Sequence, residues 1–182
     1  MKPERYFSVD IESAGPIPGK YSMLSLGACV VGEREETFYV ELKPISADFV
    51  PAALKVSGFN LDRLARDGEP PAKAMKAFRR WVEIAAGNHQ AVFVGFNACY
   101  DWQFVNWYLW SFAAGNPFGF GGIDIKSYFM GLSGQPWSKT TSSQLPRKFQ
   151  PDEPQTHNAL DDARAQASIF LKLMLKGIRP DG

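Results

Sequence analysis

Three strand-like segments in succession, followed by an abrupt change to helical periodicity, restrict this chain more than any other feature. Arg5 to Glu12 alternates, with Phe7, Val9 and Ile11 on one face and Tyr6, Ser8, Asp10 and Glu12 on the other, which is the period of a strand. Met23 to Val31 is almost continuously apolar, the pattern of a strand covered on both faces. Glu36 to Leu42 alternates again, with Phe38, Val40 and Leu42 sharing a face. Ser13-Ala14-Gly15-Pro16-Ile17-Pro18-Gly19 is punctuated as a loop, and Gly32 to Glu35 is a polar turn. Such short connections predict an antiparallel meander.

The period then changes. Pro51 to Ser57 and Leu61 to Asp67 read as short helices separated by Gly58, and Pro71 to Ala85 as a longer one with Pro in its first turn. Its inward stripe is read as Ala74, Ala77, Phe78, Trp81 and Ile84. Ala91 to Gly95 predicts a buried strand, Cys99 to Phe112 an aromatic-rich helix, Ile123 to Ile125 a brief strand, and the residues to Leu132 a short helix. Ser133 to Pro154 reads as a polar loop with one helical turn, and Asn158 to Lys176 as a long helix ended by Gly177 and Pro180. This order predicts an α/β fold with a mixed sheet flanked by helices.

A length of 182 residues suits one core, so residues 1–182 are expected to form a single domain. Nothing approaches the roughly 20 apolar residues of a membrane span. The opening Met1-Lys2-Pro3-Glu4-Arg5 lacks the apolar core of a secretory signal; a cytoplasmic, membrane-free protein is expected. A net charge of +1 argues neither for nor against nucleic acid: a protein that coats it is usually basic, whereas one that grips a few nucleotides needs only local positive charge. Cys29 and Cys99 lie in apolar contexts and read as two buried thiols. Two histidines and no CxxC argue against structural zinc.

The informative residues are acidic. Asp10 and Glu12 lie two apart on a strand, so they share a face roughly 6–7 Å apart. Paired carboxylates on a core strand repel each other and lose hydration. A hard divalent cation such as Mg²⁺ or Mn²⁺ remedies this; a strand end open to water is the alternative. Asp101 opens a helix on the stripe of Phe104, Val105, Tyr108 and Phe112, so it faces inward. An Asp favouring the helix dipole would explain it equally. At the last helix, Asp161 heads the polar stripe Arg164, Ser168 and Lys172, whereas Asp162 heads Gln166, Ile169 and Leu173. Asp162 therefore points inward and Asp161 outward, near an N-cap at Asn158. His157 precedes this helix as either a catalytic or a solvated histidine.

With these residues in view, the chain resembles a known family. Phe7-Ser8-Val9-Asp10-Ile11-Glu12-Ser13, Gly95-Phe96-Asn97-Ala98-Cys99-Tyr100-Asp101 and His157 through Ala163 are similar to the three motifs of the DEDDh, or DnaQ-like, 3′–5′ exonucleases, which include ribonuclease T, oligoribonuclease and proofreading subunits. The chain departs from the pattern at Ser13, where Thr is frequent, at Phe96, where many members have His, at Tyr100, where Phe is common, and in the proline-containing loop after Ser13. The resemblance implies a ribonuclease H-like fold with a five-stranded mixed sheet. It implies release of nucleoside 5′-monophosphates from the 3′ end of single-stranded DNA or RNA. Asp10, Glu12, Asp101 and Asp162 would hold two divalent ions, Mg²⁺ or Mn²⁺, with His157 as the general base. Ser13 and Asn97 would contact the terminal nucleotide. A homodimer, or a polymerase or other nucleic-acid-processing partner, is also implied. A non-catalytic nucleic-acid or protein adaptor on the same fold is the alternative function, and an internally cutting nuclease on the same scaffold is a further rival. Met23 and Leu24 read either as core or as a stacking surface for a base. The aromatic residues Trp102, Trp107, Tyr108, Trp110 and Phe112 are open to the same two readings. Lys139, Arg147 and Lys148, and separately Lys73, Lys76, Arg79 and Arg80, read as solvated faces or as phosphate tracks.

Overall fold

The structure is a computed structural model that describes residues 2–152 and 156–177. Its sheet contains β1 (Glu4–Ser13), β2 (Met23–Val30), β3 (Glu33–Glu41), β4 (Gln90–Gly95) and β5 (Gly122–Asp124), in the order β3-β2-β1-β4-β5. The first three strands form the antiparallel meander, while β4 and β5 join β1 in parallel. The helices are α1 (Pro51–Ser57), α2 (Leu61–Asp67), α3 (Pro71–Ala86), α4 (Ala98–Ala113), α5 (Ile125–Ser133) and α6 (Ala159–Gly177).

Alternation along β1 divides the molecule into layers. Phe7, Val9 and Ile11 enter a core with Phe78 of α3 and Phe104 and Tyr108 of α4. On the opposite face, α5 and α6 cover the sheet with Ile125, Phe129, Ile169, Phe170 and Leu173. Tyr6 meets Phe170 edge to face there, with ring centroids 5.5 Å apart. The β1–β4 pairing ends at Ser8 and Val94. Asp10 and Glu12 therefore continue past the region paired with β4 while still paired with β2, at the carboxyl end of the parallel strands, where this class of sheet opens a crevice. The β1–β2 register also slips by one residue between Glu12 and Ser13, an irregularity that re-aims side chains at a strand end.

Several expectations are corrected. The inward stripe of α3 is Ala74, Met75, Phe78, Val82, Ala85 and Ala86; Ala77 is exposed and Ile84 is 68% exposed. The true stripe is rotated toward Met75 and Val82 because α3 packs on α4 and the sheet together, and Trp81 covers its flank through Phe7 and Phe38. Cys29 is buried but Cys99 is exposed, since it occupies the outward side of the first turn of α4. The polar residues from Glu33 belong to β3 and not to a turn; an edge strand tolerates them because one side is solvated. The long loop holds three 3₁₀ turns, at Trp137–Lys139, Ser142–Gln144 and Arg147–Phe149. Met23 and Leu24 are fully buried core residues. Pro154 and Pro180 lie outside the described residues. Among the described residues no helix is long and apolar enough to cross a membrane.

Candidate active site

Four carboxylates converge from three directions. Asp10 and Glu12 come from the carboxyl end of β1, Asp101 from the first turn of α4 and Asp162 from the first turn of α6. Asp101 and Asp162 are buried, whereas Asp10 and Glu12 are half-buried. The main chain fixes two of them. Ile11 N–H donates to Asp101 Oδ1 at 3.1 Å, which ties α4 to β1 between the two β1 acids. Asp162 accepts from Thr156 N at 2.9 Å and His157 N at 3.2 Å. Those two bonds close the turn before α6, in which His157 adopts a left-handed φ of 58°, an uncommon conformation for a non-glycine residue. The turn brings the His157 ring back to the cluster. One ligand atom each from Glu12, His157 and Asp162 lies within 4.8 Å of the others.

Burial raises all four acids, and a neighbouring negative charge adds to the rise at each. Burial pushes Asp101 up to about 8 and Glu12 up to about 7, with the negative charge of Asp162 adding to the rise at Glu12. Asp10 is held well above the usual carboxylate range by burial and by the charges of Asp101, Asp162 and Glu12. Asp162 is raised chiefly by burial, and the Thr156 and His157 contacts oppose the rise. Among the described residues no lysine or arginine forms an ion pair with any of the four. Repelling oxygen donors without a counter-charge form a set suited to a divalent cation.

The surroundings include three residues that the sequence reading did not single out. Gln166 is 2% exposed; its Nε2 donates to Asp10 Oδ1 at 2.5 Å and its Oε1 accepts from Phe96 N at 2.9 Å. It joins α6, β1 and the end of β4 through one amide. Its signal in the sequence was a polar residue on the inward stripe headed by Asp162. Asp124 accepts from Ala98 N at 2.8 Å and from Ser127 N at 2.7 Å, so it caps α5 and anchors the start of α4. Gly27, paired with Asp10 across the sheet, lies against the start of α6; a Cβ there would come within 2.2 Å of Ala159 C and Leu160 N. Neither Asp124 nor Gly27 carried a local signal.

Ser13 is buried, with its hydroxyl donating to Gly15 O at 2.9 Å and lying 2.7 Å from the Tyr100 hydroxyl. Its side chain is thus engaged in holding the loop after β1. Asn97 is exposed in a left-handed turn with φ 66° and makes no capping bond to α4. Asp161 points outward and lies 3.8 Å from Arg164, as its polar stripe requires. Asn158 Oδ1 accepts from Leu160 N at 3.0 Å and Asp161 N at 3.3 Å, which is the N-cap geometry. On α4, Tyr108 is fully buried and Trp102 packs on Phe93, whereas Trp110 is 55% exposed.

A ribonuclease H-like sheet with clustered acids and a histidine at its open end defines a phosphodiester-cleaving nuclease of the DEDDh class. The chain belongs to the RNase_T exonuclease family, which it matches over residues 7–170, and it is a 3′–5′ exonuclease. It is 47% identical over 168 residues to the 3′-5′ DNA exonuclease Cap18 of Escherichia coli, covering 92% of this chain and 90% of that protein. Solved structures share the fold at low identity. The nuclease domain of 3′hExo, a DEDDh family member bound to rAMP, superposes with a TM-score of 0.73 at 13% identity, over 95% of this chain and 92% of that one. E. coli exonuclease I in complex with a dA16 oligonucleotide gives 0.65 at 15% identity, over 95% of this chain but 41% of that one. A 3′-exonuclease that recognises the histone mRNA stem-loop gives 0.75 at 14% identity, and this chain spans 64% of its length. The family uses divalent metal ions, and the oxygen-rich donor set described above fits them.

Proposed function

We propose that the chain removes nucleotides from the 3′ end of single-stranded DNA and releases nucleoside 5′-monophosphates. One observation carries this reading: Asp10, Glu12, Asp101, Asp162 and His157 all meet at the open end of the sheet. The choice of DNA rests on the likeness to Cap18, a DNA exonuclease at 47% identity. In this reading residues 1–182 form one exonuclease domain working in the cytoplasm.

Asp10, Glu12 and Asp162 would hold one divalent ion, Mg²⁺ or Mn²⁺, and Asp10 with Asp101 a second. Such ions acidify a bound water and neutralise a leaving oxyanion. His157 accepts the proton of the water that attacks the terminal phosphodiester, since its ring reaches the carboxylate cluster and offers a nitrogen acceptor there. The phosphate leaves with the terminal nucleoside, and the 3′-oxygen stays on the shortened strand. Gln166 orients Asp10, and the turn bonded to Asp162 orients His157. Ser13 and Asn97 flank the place of the terminal nucleotide, Ser13 through its backbone because its hydroxyl is engaged with Gly15 and Tyr100. The adaptor alternative is disfavoured because such a protein needs none of the five groups, and all five are present.

The test uses 5′-labelled single-stranded DNA and RNA of equal length, incubated with the protein in Mg²⁺, Mn²⁺ or chelator. A metal-dependent ladder that shortens from the 3′ end of DNA is expected, with no ladder for Asp10→Ala. His157→Ala should lose at least about a hundredfold in turnover while still binding the strand. Near-normal turnover by His157→Ala would remove the general base from the scheme. Absence of any ladder with the metal-loaded protein would favour the adaptor.

A further inference from the structure

Of the basic stretches noted in the sequence, the one on α3 is partly engaged: Lys73 pairs with Glu69, and Arg79 with Glu83 and with Ala113 O. The other is not. Lys139, Lys148 and Lys176 come from two different 3₁₀ turns and the end of α6, yet all three line one groove of about 450 Å³. Phe129, Phe149 and Gln144 lie among the residues that line it, and none of its described lining residues is acidic. Among the described residues none of the three lysines forms an ion pair. Lys148 and Lys176 lie 5.1 and 5.9 Å from the centroid of the same Phe149 ring, which holds two like charges side by side. Such an arrangement is favourable when an anion with regularly spaced charges occupies the groove.

We propose that this groove binds the phosphodiester backbone of the substrate strand upstream of its 3′ end. The proposal rests on the exonuclease reading above. Asp162 and Lys176 lie fourteen residues apart on one helix, a distance of about 21 Å. At the roughly 3.4 Å spacing of stacked nucleotides this is about six nucleotides, and fewer in a stretched strand. The groove therefore engages long strands, and the shortest oligonucleotides never reach it. Phe149 supplies an apolar wall and the lysines supply charge, so binding is insensitive to sequence.

The test compares fluorescent single-stranded oligothymidylates of about four and about twenty nucleotides. Their binding to the intact chain and to a K139Q/K148Q/K176Q variant is measured in chelator, across a range of salt. Circular dichroism and thermal melting check that the variant is folded. The expected result is about tenfold weaker binding of the long strand, with a salt slope reduced by about two, from three contacts at about 0.7 each on single strands. Binding of the short strand should be unchanged. Unchanged affinity and slope for the long strand would overturn the proposal, as would equal weakening for both lengths. Failure of the wild-type chain to shorten either strand in Mg²⁺ or Mn²⁺ would count against the exonuclease reading, and the binding comparison made without metal would stay interpretable.

Discussion

Gly27 tests how the site is assembled. It lies in the middle of a fully buried strand, where a glycine forfeits side-chain packing. Its place is explained by α6, whose first turn crosses directly above it. A Cβ at Gly27 would lie 2.2 Å from Ala159 C and Leu160 N, whereas ordinary contact begins at 3.4 Å. Gly27→Ala must therefore push the helix start away from the sheet by about 1.2 Å. The obstructing atoms are backbone, so no rotamer change relieves them. Overpacking of this kind costs up to about 3 kcal/mol, which in a domain of this size lowers Tm by roughly 6–12 °C. The displacement also carries Asp162 and His157 away from Glu12 and Asp10. A misplacement of about 1 Å at reacting groups costs roughly a hundredfold in rate. Thermal melting and single-turnover cleavage of a labelled strand, both well below the new Tm, measure the two effects separately. Wild-type Tm with wild-type rate would refute the claim that close approach of α6 at Gly27 sets the site. Lower Tm with unchanged rate would refute the link to catalysis and leave the packing argument standing.

Three further outcomes are expected. Asp101, at about 8, and Glu12, at about 7, are raised on folding. The metal-free folded state thus keeps protons that the unfolded chain releases above about pH 4, and stability should fall as pH rises from about 4 toward 8. Melting in chelator at pH 5.5 and pH 8 should show the decline, and Mn²⁺ should raise Tm more at the higher pH; a chelated protein that gains stability with pH would contradict the assignment. Gln166→Leu removes the bond that favours ionised Asp10 and leaves Phe96 N unpaired, so stability should drop by about 1–3 kcal/mol and the rising limb of the pH–rate profile should move to higher pH; an unshifted profile would show that Gln166 does not tune Asp10. Tyr100→Phe removes the hydroxyl that lies 2.7 Å from Ser13 Oγ, which loosens the loop after β1; roughly fivefold higher KM with little change in kcat is expected, and an equal fall in kcat at constant KM would place the effect in the chemical step.

Much of this protein is local information. The period-2 pattern of Arg5 to Glu12 and the apolar run from Met23 give two strands of the meander, because alternation records which face meets a core. The same logic turns Asp101 and Asp162 inward and Asp161 outward, since each shares a helical stripe with residues whose polarity is visible. Where two faces are both covered, the sequence is ambiguous: α3 has apolar residues on more than one stripe, and the choice of Met75 and Val82 over Ala77 and Ile84 depended on where α4 and the sheet lie. Likewise Cys99 is apolar in context but outward in space. The tertiary structure decided the contacts between distant segments. Gln166 meets Asp10 across 156 positions, Asp124 meets Ala98 across a helix, and Lys139, Lys148 and Lys176 reach one groove from separate elements. Gly27 has a purpose only once α6 is laid upon it. No local pattern encodes such encounters, because they depend on the packing of elements whose spacing along the chain says nothing of their distance in the fold.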